Sequence, residues 1–186
     1  MRKLALTLLI LGLASAVEAH VTPNVTLVRR GDFVKESLPG ATKFFEKSLS
    51  PAAIAAVQKD TGWTPSSEEA KVFVGRDDGG RLIGTVVFLW VPSQHGPLGL
   101  GVAFAPDGKI RRATVTDVGT EPLVWVRPLL RDGAVIGVDA VSLAESLDAS
   151  RVAPEATGSM CRYYCKVVCD GITRAQAMER ADAATK

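Results

Sequence analysis

The sequence predicts an α+β fold, an antiparallel β-sheet meander flanked by helices. Three observations lead there. Between residues 71 and 141, short β-rich runs follow one another at close spacing, separated by Pro/Gly/Asp turns, which suits hairpin-linked strands. Helix-forming stretches lie on either side of this block, before residue 62 and after residue 141. The 186 residues are 47% hydrophobic, enough to bury one core in one domain.

The first element is a segment for export. Met1-Arg2-Lys3 is cationic, Leu4 to Leu13 is almost wholly apolar, and small residues follow around Ala14-Ser15-Ala16 and Val17-Glu18-Ala19. These are the three parts of a secretory signal peptide, spanning 1–19, with cuts after Ala16 or Ala19 both fitting. The apolar run is shorter than the roughly 20 residues a membrane helix needs, and no later segment is long and apolar enough to span. The expected destination is periplasmic or secreted. Removing Arg2, Lys3 and Glu18 takes 22 basic and 20 acidic residues to 20 and 19, near neutrality. That balance argues against a nucleic-acid partner, whose footprint is a dense basic surface.

Residues 32–62 read as helical. Ser50-Pro51 is an N-cap and first-turn pair, Ala52 to Lys59 is rich in helix formers, and Gly62 lies where the helix should stop. A shorter helix is expected over Ala41–Ser48, burying Phe44, Phe45 and Leu49. Strands are then expected at Lys71–Val74, Leu82–Val91, Leu98–Ala105, Ile110–Thr116 and Gly133–Val141. Leu82–Val91 is largely apolar on both sides and should be central. Asp77-Asp78-Gly79-Gly80 and Pro106-Asp107-Gly108 are turns. Pro122–Leu130 is ambiguous, and 142–151 and 160–184 read as helices. The expected organisation is a signal peptide, 1–19, one α+β domain, 20–158, and a cysteine-containing helical tail, 159–186.

Four places, in order, resemble the FMN-binding domain of exported electron-transfer proteins. That family includes the G subunit of Rnf-type electron-transport complexes and the outer domain of nitrous-oxide-reductase regulatory proteins. Leu38-Pro39-Gly40-Ala41 with Phe44 resembles an "L-P-G-A-x-x-F" opening. Gly96-Pro97-Leu98 through Asp107-Gly108-Lys109-Ile110 resembles a "G-P-I…D-G-K-I" strand pair. Thr120-Glu121-Pro122 stands where the family has "E-T" or "E-P", and Val138-Asp139-Ala140-Val141-Ser142 resembles "V-D-A-V-S". Together they cover residues 38–147, and their order and spacing carry the resemblance more than any single motif.

The resemblance implies an FMN-binding-domain-like fold working in periplasmic electron transfer with a membrane-bound or haem redox partner. It does not imply an enzyme with its own organic substrate. The departure from the pattern is informative. The family's flavinylated members esterify FMN to the threonine of S-G-A-T, whereas Ser142 here is followed by Leu143, Ala144 and Glu145. A glutamate has no hydroxyl to esterify and repels phosphate, so any FMN is expected to be non-covalent. Candidate cofactor residues are Gly99 and Leu100, in a loop offering little obstruction to a planar ring, with Thr120, Glu121, Trp125, Ser142 and Glu145. Trp125 is the candidate to stack on the ring, and Arg127 and Arg131 are candidate phosphate donors. The alternative is a flavin-free accessory or partner-binding module of the same fold.

A third reading centres on Cys161, Cys165 and Cys169. On a helix their spacing of four puts the sulfurs along one face, with the outer pair about 12 Å apart. Such an array could ligate a metal with a fourth ligand from elsewhere, soft thiolates suiting copper(I) or zinc, cycle as thiols with electrons from a flavin, or form one internal bridge with one disulfide joining a homo-oligomer; the metal's identity is not read from the sequence. No C-x2-C or C-x-x-C-H signature is present. Only two histidines occur, His20 and His95. A copper brace on an amino-terminal His20 and a Ser/His/Asp hydrolase are therefore both poorly supported. Asp117, Glu121 and Asp139 show no readable acid–base pairing, and Trp63 and Trp90 are expected in the core or at its rim.

Overall fold

A computed structural model of the chain describes residues 24–126 and 158–184. Its described part is a mixed α+β fold around one six-stranded, fully antiparallel sheet. The strands are β1 (Asn24–Thr26), β2 (Lys43–Ser48), β3 (Lys71–Arg76), β4 (Leu82–Val91), β5 (Leu98–Phe104) and β6 (Ile110–Gly119). Their spatial order is β1-β6-β5-β4-β3-β2. The helices are α1 (Arg30–Ser37), α2 (Pro51–Thr61), the single turn α3 (Leu123–Val126) and the long α4 (Ser159–Ala183).

The meander from β3 to β6 follows its turns. Asp77 to Gly80 closes the first hairpin, with Arg81 donating its backbone N–H to Asp77 Oδ1 at 2.8 Å. Pro106 to Lys109 closes the last, with Lys109 N–H bonded to Asp107 Oδ1 at 3.2 Å. β4 pairs on both sides and is buried from Gly84 to Leu89, which is why it is apolar on both faces.

The expected helix over Ala41–Ser48 is a correction: this stretch is the edge strand β2. It runs antiparallel to β3 with Phe44 opposite Gly75 and Phe45 opposite Val74. Phe44 and Phe45, expected inside, are 40% and 51% exposed; only Leu49, just beyond, is buried. Two adjacent aromatics favour a strand once β3 offers a free edge, and that pairing overrides the weak local helix signal. Residues 32–62 therefore divide into α1, β2 and α2. α2 itself follows expectation. Ser50 Oγ accepts from Ala53 N–H at 3.1 Å, Pro51 sits in the first turn, and Gly62 closes the helix at a φ of 69°.

Two apolar layers form. On one face α1 lays Phe33 edge-on against Phe88, centroids 5.8 Å apart, and Phe73 meets Phe88 in the same way at 5.5 Å. On the other face α4 and α2 cover Val72, Val87, Leu89, Leu100 and Val102, all at most 1% exposed. Gly171 lets α4 approach: a methyl there would lie 2.6 Å from Val91 Cγ2 and 2.9 Å from Leu100 Cδ2. Lys47 Nζ reaches Asp182 Oδ1 at 2.6 Å and ties the edge strand to the end of α4. No helix among the described residues is long and apolar enough to cross a membrane.

Candidate functional site

The chemistry-bearing residues gather where β4 turns into β5. Pro92 ends β4, and the loop from Ser93 reverses at Gly96, whose φ is 103°. Two other segments meet this loop. One is Thr120–Val126, leaving β6 as a turn and the single helical turn α3. The other is the first two turns of α4, brought over the sheet by the packing of Gly171.

Side chains lock the three segments together. His95 Nδ1 lies 3.2 Å from Glu121 Oε2, an ion pair when the imidazole is protonated. The His95 ring lies 5.8 Å from Trp125, tilted by 40°. Trp125 in turn stacks on Tyr164, 5.9 Å between centroids and 11° between planes. Tyr163 meets Tyr164 edge-on at 5.1 Å. The Tyr163 hydroxyl accepts the Gln94 backbone N–H at 2.8 Å, and Ser93 Oγ donates to the Tyr164 hydroxyl at 3.4 Å. Tyr164 is fully buried, and burial pushes its phenol above the usual tyrosine value; the Ser93 hydrogen bond works against this. The result is a rigid aromatic corner with one acid–base pair on its rim.

The candidate residues named from sequence do not all meet here. Glu121 and Trp125 do, and Thr120 is exposed beside them. Gly99 and Leu100 face opposite sides of the sheet. A side chain at Gly99 would meet Thr116 Oγ1 at 2.9 Å and the Asp117 side chain at 3.0 Å, on the α1 face. Leu100 is 1% exposed and packed beneath Gly171, so it is core and presents nothing to a ligand. Asp117 is structural, accepting the Thr26 hydroxyl at 2.7 Å to hold β1 against β6. Trp63 lies under the Arg174 guanidinium at 5.3 Å, and Trp90 lies near that of Arg30. Ser142 and Glu145, with Arg127, Arg131, Asp139 and His20, lie outside the described residues.

The three cysteines occupy α4, and no disulfide joins them. They do not act as one set. Cys161 points its sulfur at the Trp125 carbonyl, 3.8 Å away, and burial pushes its thiol up, reinforced by Cys165. Cys169, one turn beyond Cys165, is half-buried; the hydrogen bond from Cys165 draws its thiol below the usual value against the opposing effect of burial. Among the described residues no group of three or more His, Cys, Asp or Glu is arranged to hold a metal ion.

Ser93, Tyr163 and Tyr164 meet at this corner although sequence reasoning passed over them, and His95 was weighed there only as a second histidine beside His20. The adjacent tyrosines at the head of an amphipathic helix were the one available signal. A cleft of about 510 Å³ lies at the opposite end of β5, between the Pro106–Lys109 turn and the Gln176–Ala183 end of α4, away from the aromatic corner. Comparison with known proteins finds no matching family model, no matching curated protein and no matching solved structure.

Proposed function

We propose that this chain is an exported module of the FMN-binding-domain kind, serving periplasmic electron transfer with non-covalent FMN against the aromatic corner. One observation carries the reading. Two of the four family-like motifs, Gly96-Pro97-Leu98 and Thr120-Glu121-Pro122, flank the same end of the paired strands β5 and β6 and are joined through His95 and Glu121, 3.2 Å apart. FMN, when bound, accepts and passes on electrons one or two at a time. Trp125 and His95 would flank its ring, and the exposed Thr120 hydroxyl would supply a donor at its edge. The Glu121 carboxylate opposes a phosphate at this rim, so the phosphate must sit away from it.

A second reading is favoured by a specific contact. Trp125 already stacks on Tyr164, and Leu100 is sealed in the core, which suits a flavin-free module that binds a protein partner through the same corner.

The test separates them. The purified chain is examined by visible spectroscopy before and after acid precipitation, then titrated with FMN. The flavin reading expects a yellow chromophore released by acid, or saturable FMN uptake. It also expects Trp125→Ala to weaken uptake roughly 2–10-fold, the ~0.5–1.5 kcal/mol of an aromatic pair. A colourless protein that takes up no FMN overturns it in favour of the partner-binding module.

A further inference from the structure

Cys165 and Cys169 stand one helical turn apart in α4, and their sulfurs are in hydrogen-bonding reach. Residues four apart on a helix hold their Cβ atoms about 5–6 Å from each other. A disulfide needs about 3.5–4.5 Å between Cβ atoms, so the pair is too wide to bridge directly while α4 stays intact. It is the right width for one atom between the sulfurs. Two metal–thiolate bonds end to end, each about 2.3 Å for zinc and somewhat shorter for a two-coordinate soft ion, span about 4–4.6 Å, reached from the present contact by a small rotation of either side chain.

The surroundings narrow the metal. Zinc takes four ligands, and no third protein ligand of the usual kinds is arranged with the pair among the described residues. Cys161, one turn earlier, directs its sulfur to the Trp125 carbonyl instead. Asp170 is near enough to Cys169 to act on its charge but is a hard ligand that completes no metal-binding group with the pair, and two thiolates suit a soft monovalent d10 ion. Half-buried Cys169 gives access and buried Cys165 shields the second ligand from water.

We propose that Cys165 and Cys169 form a two-coordinate site for a soft monovalent cation such as copper(I), independent of whether flavin binds. On binding, both thiols release their protons to solvent, two S–Cu bonds form, and no electrons move.

The experiment uses the purified full chain, reduced and kept anaerobic, titrated with copper(I) against a chromogenic copper(I) chelator. X-ray absorption then counts the sulfurs. The expected result is one copper per chain with two sulfur neighbours and no third, at a copper–sulfur distance shorter than the roughly 2.3 Å of a four-coordinate zinc thiolate. Cys161→Ser should leave affinity unchanged, while Cys165→Ser and Cys169→Ser each weaken it by more than about 100-fold, beyond the loss of a supporting hydrogen bond. Complete stripping by the chelator overturns the proposal. So do three sulfurs on the metal, one copper per two chains, or equal loss in Cys161→Ser. Should a serine variant fail to fold, the stoichiometry and sulfur count of the unaltered chain still decide.

Discussion

Replacing Gly171 with alanine sets two effects of known size against each other. In an exposed helix interior, Gly→Ala stabilises by about 1 kcal/mol, because the glycine backbone loses more freedom on folding. Gly171 is in the middle of α4, so propensity alone predicts a gain. The packing predicts the reverse. The added methyl would lie 2.6 Å from Val91 Cγ2 and 2.9 Å from Leu100 Cδ2, both closer than carbon atoms approach. Val91 is β-branched and 3% exposed, so it has little freedom to turn away. Inserting a methyl into such a site costs about 1–3 kcal/mol. The net expectation is a loss of about 0–2 kcal/mol, lowering the melting temperature by up to ~4–8 °C in a chain of this size. Urea denaturation of Gly171→Ala, Val91→Ala and the double variant measures it. Val91→Ala opens a cavity that the new methyl fills, so the double variant should be more stable than the sum of the single losses, by ~0.5–3 kcal/mol. Stabilisation by Gly171→Ala, or additivity within ~0.5 kcal/mol, would refute the close packing of α4 on β4.

Other expectations follow from particular contacts. Burial alone would raise the Glu69 carboxyl, yet hydrogen bonds from Ser66 and the Trp90 backbone hold it below its ordinary value. A depressed folded pKa stabilises above the unfolded pKa and is lost as pH falls through the folded one. Glu69→Gln should therefore flatten the acid limb of a stability–pH curve below about pH 4.5 and leave the neutral region less stable. Lys47→Ala removes one charged partner from Asp182, which is 2% exposed; a loss of about 0.5–1.5 kcal/mol is expected by chemical denaturation, with β2 losing hydrogen-exchange protection first. Under limiting iodoacetamide, peptide mass mapping should find Cys169 alkylated before Cys161. The first thiol is half-buried and lowered in pKa, the second buried and raised.

The sheet from β3 to β6 was legible because each strand is bounded by residues with one dominant conformational use, such as Gly80, Pro92 and Gly108. The C-terminal helix was legible from its long run without proline, in which Gly171 is the single weak helix former of its middle. β2 was not, because what makes Lys43–Ser48 a strand is the neighbouring edge of β3 rather than anything in its own six residues. The same limit governed the site. Glu121 and Trp125 were found through the resemblance, but their partners were not. The Ser93–Tyr164 and Gln94–Tyr163 contacts join residues 71 and 69 positions apart, a juxtaposition that exists only after α4 has docked. Leu100 was misjudged because a glycine on either side reads as open space, when the space is filled by the facing helix.

The position of α4 in the chain also sets an order of events. Its partners on the sheet, from Val72 to Val102, emerge first from a ribosome or a translocation pore. Until α4 has emerged, that apolar face lacks the longest of its covers and keeps, among the described residues, α2 and the turn α3. Such a nascent chain is a template for aggregation, and edge strand β2, with Phe44 and Phe45 outward, is the exposed border where a neighbouring chain could add. A truncation that removes α4 should therefore do more than weaken the molecule: it should turn a folding intermediate into the end state and make the chain depend on a holding chaperone.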